Sequence, residues 1–369
     1  MKKIIWIPIV IVVIGLVIFA IGYSAGGLKA FWIDRGGFHL EERGDENGNG
    51  KLMSVDETYR SFDNIELEAD FVDRIEIMEG DGYAVRGQNY ERWGGLDVKL
   101  EGNTLRIDAT DNSRNWRIDF GLDELLGRYR DDSWIEITYP PGAEIEDVMA
   151  KISAGGITVK NLDCSSFTID NSFGDIEASS LTCGSLKFTD AAGRISITRA
   201  EVAGDAVIEN SFGDVRLADI GADSLSADLD SGEISAENIR ANIFSVSNKF
   251  GKVDIDGADA ENVKLKLDSG NLSADNIDAG DLSVKSSFGE VGLDGLVFTG
   301  LCDIKCSSGN VDVGLLMKED DVSYEIDVSA GDVQVDGRKF NGSVTNRAPG
   351  AASLKVKADF GNVNVDFTG

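Results

Sequence analysis

The chain has 369 residues, with 65 Asp and Glu against 35 Lys and Arg, for a formal net charge of −30. Hydrophobic residues make up 42% and are interleaved with the acids, which favours a folded core over a disordered chain. A surface this negative, with no basic run in the sequence to displace phosphate counterions, is expected to make nucleic acid a poor partner, and none is assigned. The single histidine, His39, rules out multi-histidine metal sites and would have to serve alone in any Ser-His-Asp triad.

Lys2 and Lys3 precede an uncharged run from Ile4 to Tyr23. At about 1.5 Å per residue this run spans roughly 30 Å, the depth of a bilayer core, with Trp6 and Tyr23 near its ends. Residues 1–23 are therefore expected to be a short cytoplasmic tail and one transmembrane helix, the alternative being a cleaved signal peptide. The corresponding location is a single-pass cell-membrane protein whose C-terminal part is extracytoplasmic, with the membrane as one partner.

Residues 24–54 read as a stalk rich in Gly and charge. Within and just beyond it, Asp45, Asn47, Asn49, Gly50 and Asp56 fall at positions 1, 3, 5, 6 and 12 of a single EF-hand or dockerin-like loop. Asp in place of a bidentate Glu at the last position, and the lack of a second loop, count against it. No cofactor is assigned, and calcium is the one candidate.

Residues 55–150 carry alternating segments such as Ile65-Glu66-Leu67, Ile75-Glu76-Ile77, Leu105-Arg106-Ile107 and Ile135-Glu136-Ile137. This is strand periodicity with irregular spacing, expected as a β entry region that caps the remainder of the chain.

From residue 151 to 369 a repeat dominates. Gly155, Gly174, Gly193, Gly213, Gly232, Gly251, Gly270, Gly289 and Gly309 recur every 19 or 20 residues, and Gly331 and Gly361 come next at wider spacing. Apolar residues alternate between them, so each unit is strand-like and too thin to bury its own apolar face. Stacking the units solves that. The predicted fold is all-β, a parallel β-solenoid of about 19-residue rungs, roughly 50 Å long at ~4.8 Å per rung.

The slot before the glycine holds Phe173, Phe212, Phe250 and Phe288 in alternate units, with Ala192, Ser231, Ser269 and Ser308 between them. This alternation is expected to be close packing, large side chains filling space left by small neighbours. Gly174, Gly213, Gly251 and Gly289, with these four phenylalanines, are the expected structural residues. Three places before the glycine the sizes reverse, with Asn171, Asn210, Asn248 and Ser286 in the Phe units and Leu229, Leu267 and Cys306 in most others, and Asp190 breaks that pattern.

The Phe62-x-x-Ile65 opening, the Gly80-Asp81-Gly82-Tyr83 turn, the Tyr139-Pro140-Pro141-Gly142 corner and the Ser-Phe-Gly-Asp-Ile/Val unit (Ser172 to Ile176, Ser211 to Val215) resemble a bacterial cell-envelope domain family of unknown function called "putative adhesin". The resemblance covers roughly residues 55–369. It implies a β-strand-repeat fold and a role in envelope interaction or envelope stress sensing, and it carries over no catalytic residue.

Cys164 and Cys183 lie one unit apart, where they are either reduced core thiols or a rung-to-rung disulfide, since stacked Cα atoms ~4.8 Å apart are within bridging range. Cys302 and Cys306 are too far apart along one strand to pair. Asp228, Asp230 and Asp268 are the carboxylates that a β-helix glycan lyase or hydrolase would use. The reading is a non-catalytic, adhesin-like scaffold binding an envelope polymer or envelope protein. The alternatives are that carbohydrate-active enzyme, or a filament assembling through an open solenoid end after Gly361.

Overall fold

Period-2 alternation becomes strand almost throughout. The computed structural model describes residues 30–34, 37–40, 51–110, 118–121, 133–350 and 352–369. Its elements are strands and two short helical turns, Glu91–Trp93 and Glu319–Asp321. The expected transmembrane helix and single-pass membrane location are corrected here. Among the described residues no helix is long and apolar enough to cross a membrane, because their apolar residues alternate with polar ones and face one side of a strand. The run from Ile4 to Tyr23 lies outside the described residues, and the described residues are all-β.

Twenty-one strands join in one sheet. Ile176–Ala192, Ile195–Phe212, Val215–Ser231, Ile234–Phe250, Val253–Ser269 and Leu272–Phe288 each run from just after one repeat glycine to just before the next. Each pairs in parallel with the next, one repeat on, as in Val215↔Ile234 and Ile234↔Val253. Each slot of the repeat thus becomes a column running along the stack. The inward column two places after the glycine is fully apolar: Ile176, Ile195, Val215, Ile234 and Val253 are at most 1% exposed. Phe167 and Phe188 meet edge to face in the same interior, their ring centroids 4.9 Å apart.

Two corners bend every rung. At the first, a Cβ on Gly213, Gly251 or Gly289 would stand 1.9 Å from the carbonyl oxygen of the glycine one rung earlier, so the column admits no side chain. The residue after the glycine ties the rungs together. Asp175 Oδ1 accepts the Arg194 N–H at 2.9 Å, Asp214 Oδ1 that of Glu233 at 3.1 Å and Asn271 Oδ1 that of Glu290 at 3.0 Å. This contact accommodates Asp214 beside Glu233, which like-charge reasoning disfavours. At the second corner, six places past the glycine, Asn161, Ser180, Arg199, Asp219, Asn238 and Asn276 adopt φ between 53° and 59°. Local side-chain bonds such as Asn238 Nδ2 to Asp219 Oδ1, 3.0 Å, support these left-handed residues.

Both ends depart from simple succession. Asn64–Glu79 pairs in parallel with Ile145–Lys160, and its far side pairs with Thr104–Ala109 and Trp134–Tyr139, so the entry region is itself stacked on the first repeats. Antiparallel strands Asp97–Glu101, Ala84–Tyr90 and Leu52–Thr58 cover that end. At the other end the last segment folds back into the stack. Ala352–Phe360 and Val363–Phe367 insert between the Leu301–Leu315 rung and Val322–Val335. The open edge expected after Gly361 is therefore corrected: that rung is internal. The terminal rung, Val322–Val335, is flanked by the antiparallel Arg338–Asn346 strand. Arg338 Nη2 and the Tyr324 hydroxyl both bond Glu319 Oε1, at 2.5 and 2.7 Å, pinning this terminus.

Gly251→Ala must open the stack by forcing a Cβ against backbone at φ +139°. It should cost about 2 kcal/mol or more in chemical denaturation. Gly82→Ala, with nothing within 4 Å of its Cβ, should stay within about 0.5 kcal/mol of the parent.

Candidate functional site

The slot before the glycine is where the structure departs most from expectation. Along the preceding strand the inward positions are seven, five and three places before the glycine, as in Phe167, Ile169 and Asn171, all at most 1% exposed. Simple alternation would place Phe173 inside as well, but the chain turns there and swings it outward. Phe173, Phe212, Phe250 and Phe288 are 61–64% exposed, so the close-packing expectation is corrected.

The register extends this into a ladder. Phe71 stands beside Ala154, and Phe173 beside Ala192. Ala192 is next to Phe212, Phe212 to Ser231, Ser231 to Phe250, Phe250 to Ser269 and Ser269 to Phe288. Phe288 then meets Ser308, Ser308 meets Phe360 and Phe360 meets Ala330. Six phenylalanines, 55–65% exposed, thus alternate with alanine or serine down one edge of the molecule. Successive rings are two strand spacings apart, about 9.6 Å, so both faces of each ring stand clear of the next phenylalanine.

A buried polar row underlies the ladder. Asn171, Asn210 and Asn248 donate to the corner carbonyls of Gly174, Gly193 and Gly232 at 2.9, 2.9 and 3.0 Å. Asp190 occupies the same row between Asn171 and Asn210, 1% exposed. One of its oxygens accepts the Ala192 N–H at 3.3 Å, and the other, Oδ2, is buried without a partner. Burial pushes its carboxyl up to about 6 from the ordinary 3.8, against the pull of the Ala192 and Ala191 N–H groups, and the Asp175 charge adds to the rise.

The remaining candidates are scattered. Cys164 and Cys183 are register neighbours with Sγ atoms 3.3 Å apart, both buried and free in this structure. The Cys164 thiol is held far above its usual range, first by the hydrogen bond to Cys183 and then by burial, so it is no nucleophile. Cys302 and Cys306 are buried core residues. Of the calcium-loop residues, Asp45, Asn47 and Asn49 lie outside the described residues, and Asp56 pairs with Arg86 at 3.2 Å. Asp230 and Asp268 do not converge, because Lys249 stands in the rung between them and binds Asp230 at 2.5 Å. A shallow depression at Gly221 is crossed by the Arg240–Glu201 ion pair, 2.9 Å. Among the described residues no group of three His, Cys, Asp or Glu is placed to hold a metal ion.

A family profile described as Toastrack DUF4097 matches residues 62–242 and 219–368. No curated protein matches the chain. Among solved structures, the chain is similar to a "putative lipid binding protein" from Parabacteroides distasonis, at 12% identity and TM-score 0.38, over 85% of this chain and 98% of that one. It is also similar to a "putative adhesin" from Bacteroides fragilis, at 14% identity and TM-score 0.27, over 86% and 97% of the two chains.

The exposure of the ladder has a direct consequence for stability. Phe212→Ala should change the unfolding free energy by less than about 1 kcal/mol, whereas Phe188→Ala, at 0% exposure, should cost about 3–5 kcal/mol. Asp190 supplies a pH test. Its folded-state affinity for the proton exceeds that of the unfolded chain, so its contribution to stability is full below about pH 4 and is lost as pH rises through about 6. Asp190→Asn should therefore stabilise the protein by about 1–3 kcal/mol at pH 7.5. The gain should shrink at pH 4.5, as read by thermal unfolding at the two pH values.

Proposed function

The chain belongs to the Toastrack DUF4097 family, and from that premise we propose that it is a non-catalytic, adhesin-type scaffold whose phenylalanine ladder grips a linear glycan of the cell envelope. The ladder carries this reading. Exposed apolar side chains scattered singly are ordinary, whereas six aromatic rings aligned on one edge mark a contact site, and here they stand on a chain with a net charge of −30. Its regularity points to a periodic ligand. A ring every two strand spacings, about 9.6 Å, is close to the length of a β-1,4-linked disaccharide, whose apolar sugar faces stack on aromatic rings. Rigid aromatics also lose little conformational entropy on contact.

The alternatives have less support. Turnover of a glycan needs paired carboxylates, and Lys249 separates Asp230 from Asp268. End-to-end assembly needs a free parallel edge, and antiparallel strands flank both ends.

Each phenylalanine buried on docking contributes about 1.5–3 kcal/mol. The F212S/F250S/F288S protein should therefore lose retention on isolated cell-wall glycan in a pull-down with the full chain, while melting within a few degrees of the parent. Undiminished retention of the triple variant would sink the ladder as the contact surface.

A further inference from the structure

A second column runs beside the ladder, four places before the glycine. Lys266 is the register neighbour of Lys285, Lys285 of Lys305, and Lys305 of Lys357. All four are exposed, and they form the longest uninterrupted basic column among the paired strands. Lys264 and Lys355 stand two places back on the same face.

Four like charges stacked at ~4.8 Å repel one another. Neighbouring carboxylates relieve only part of this. Lys266 reaches Asp268 at 3.6 Å, Lys305 reaches Asp303 at 2.5 Å, and Asp327 is the register neighbour of Lys357 on the next rung, whereas Lys285 stands between two lysines and has no ion pair among the described residues. An acidic chain thus gathers four lysines in one column whose carboxylates lie at its sides and its end, leaving Lys285 the least compensated of them. The lysine and phenylalanine columns are parallel, three residues or about 10 Å apart along each rung, and Phe288 and Phe360 share rungs with Lys285 and Lys357.

We infer that this C-terminal part of the stack is a track for a linear polyanion, a chain carrying closely spaced carboxylate or phosphate groups. Its charges sit on Lys266, Lys285, Lys305 and Lys357, and its apolar parts lie on Phe288 and Phe360. The inference rests on the glycan-binding reading for the direction in which the ligand lies, and adds its charge. The overall negative charge does not forbid contact, because at physiological salt fields decay over about 8 Å. The lysines therefore decide at contact distance.

The experiment measures binding of labelled oligogalacturonate and of long-chain polyphosphate to the full chain between 50 and 200 mM salt. Neutral cello-oligosaccharide, inorganic phosphate and phosphatidylglycerol vesicles are run as further arms. With four charges neutralised, affinity for the two polyanions should fall about 30–50-fold over that range. K285Q/K357Q should weaken binding at least tenfold and roughly halve the salt slope, and should melt no lower than the parent. K151Q/K160Q removes the same net charge elsewhere and should leave binding unchanged. Equal losses in the two double variants, polyanion binding indifferent to Lys285 and Lys357, or binding to vesicles in place of the soluble polymers would each overturn the inference. Neutral oligosaccharide bound through the phenylalanines but not affected by the lysines would leave the glycan reading standing and remove only the charge assignment. F288S/F360S tests that reading separately.

Discussion

In-register parallel stacking at the glycine corner is the contact on which the rest of the molecule depends. Each repeat glycine lies so close to the carbonyl of its predecessor that the rungs hold one spacing and one register. Polar side chains secure the same corner from both sides, with Asp and Asn outside it accepting the next rung's N–H and the buried Asn row beneath it donating to corner carbonyls. Because buried backbone groups must find partners, a thin two-layer rung is stable only when its neighbours supply them.

That constraint turns sequence into columns. A residue type repeated every 19 or 20 positions becomes a continuous line on the surface, and any cost or benefit is multiplied along the stack. Apolar columns facing inward build the core, with Ile, Val, Leu and Phe near zero exposure. The same multiplication outside makes the phenylalanine ladder and the lysine column prominent, since neither gains folding energy where it stands. Asp190 shows the converse inside: each polar member of the row leaves one side-chain oxygen buried without a partner, and at Asp190 that oxygen belongs to an ionisable carboxyl.

Much of the architecture was legible in advance. The glycine interval, the alternating apolar slots and the register of Cys164 with Cys183 all come from counting. The misreading of Phe173, Phe212, Phe250 and Phe288 has a specific cause. Their large–small alternation satisfies a packed interior and a spaced surface ladder equally, and the parity that separates inside from outside fails where the strand turns into the glycine. The second corner was missed for a related reason: Asn161, Ser180, Arg199 and Asp219 share a left-handed backbone but no side-chain type.

The sequence by itself determined the repeat, its strand character and the absence of room for side chains at the glycine column, because these depend on local periodicity and sterics. Only the tertiary structure decided how the chain ends are woven in. Lys305 and Lys357 are 52 residues apart, as are Ser308 and Phe360, yet they become neighbours because the final segment inserts ahead of the Val322–Val335 rung. Nothing in the local pattern distinguishes a last rung added at the end from one slipped inside. That choice rests on which neighbours bury the apolar faces of Leu354, Val356, Val363 and Val365, and so on contacts between residues far apart in the chain.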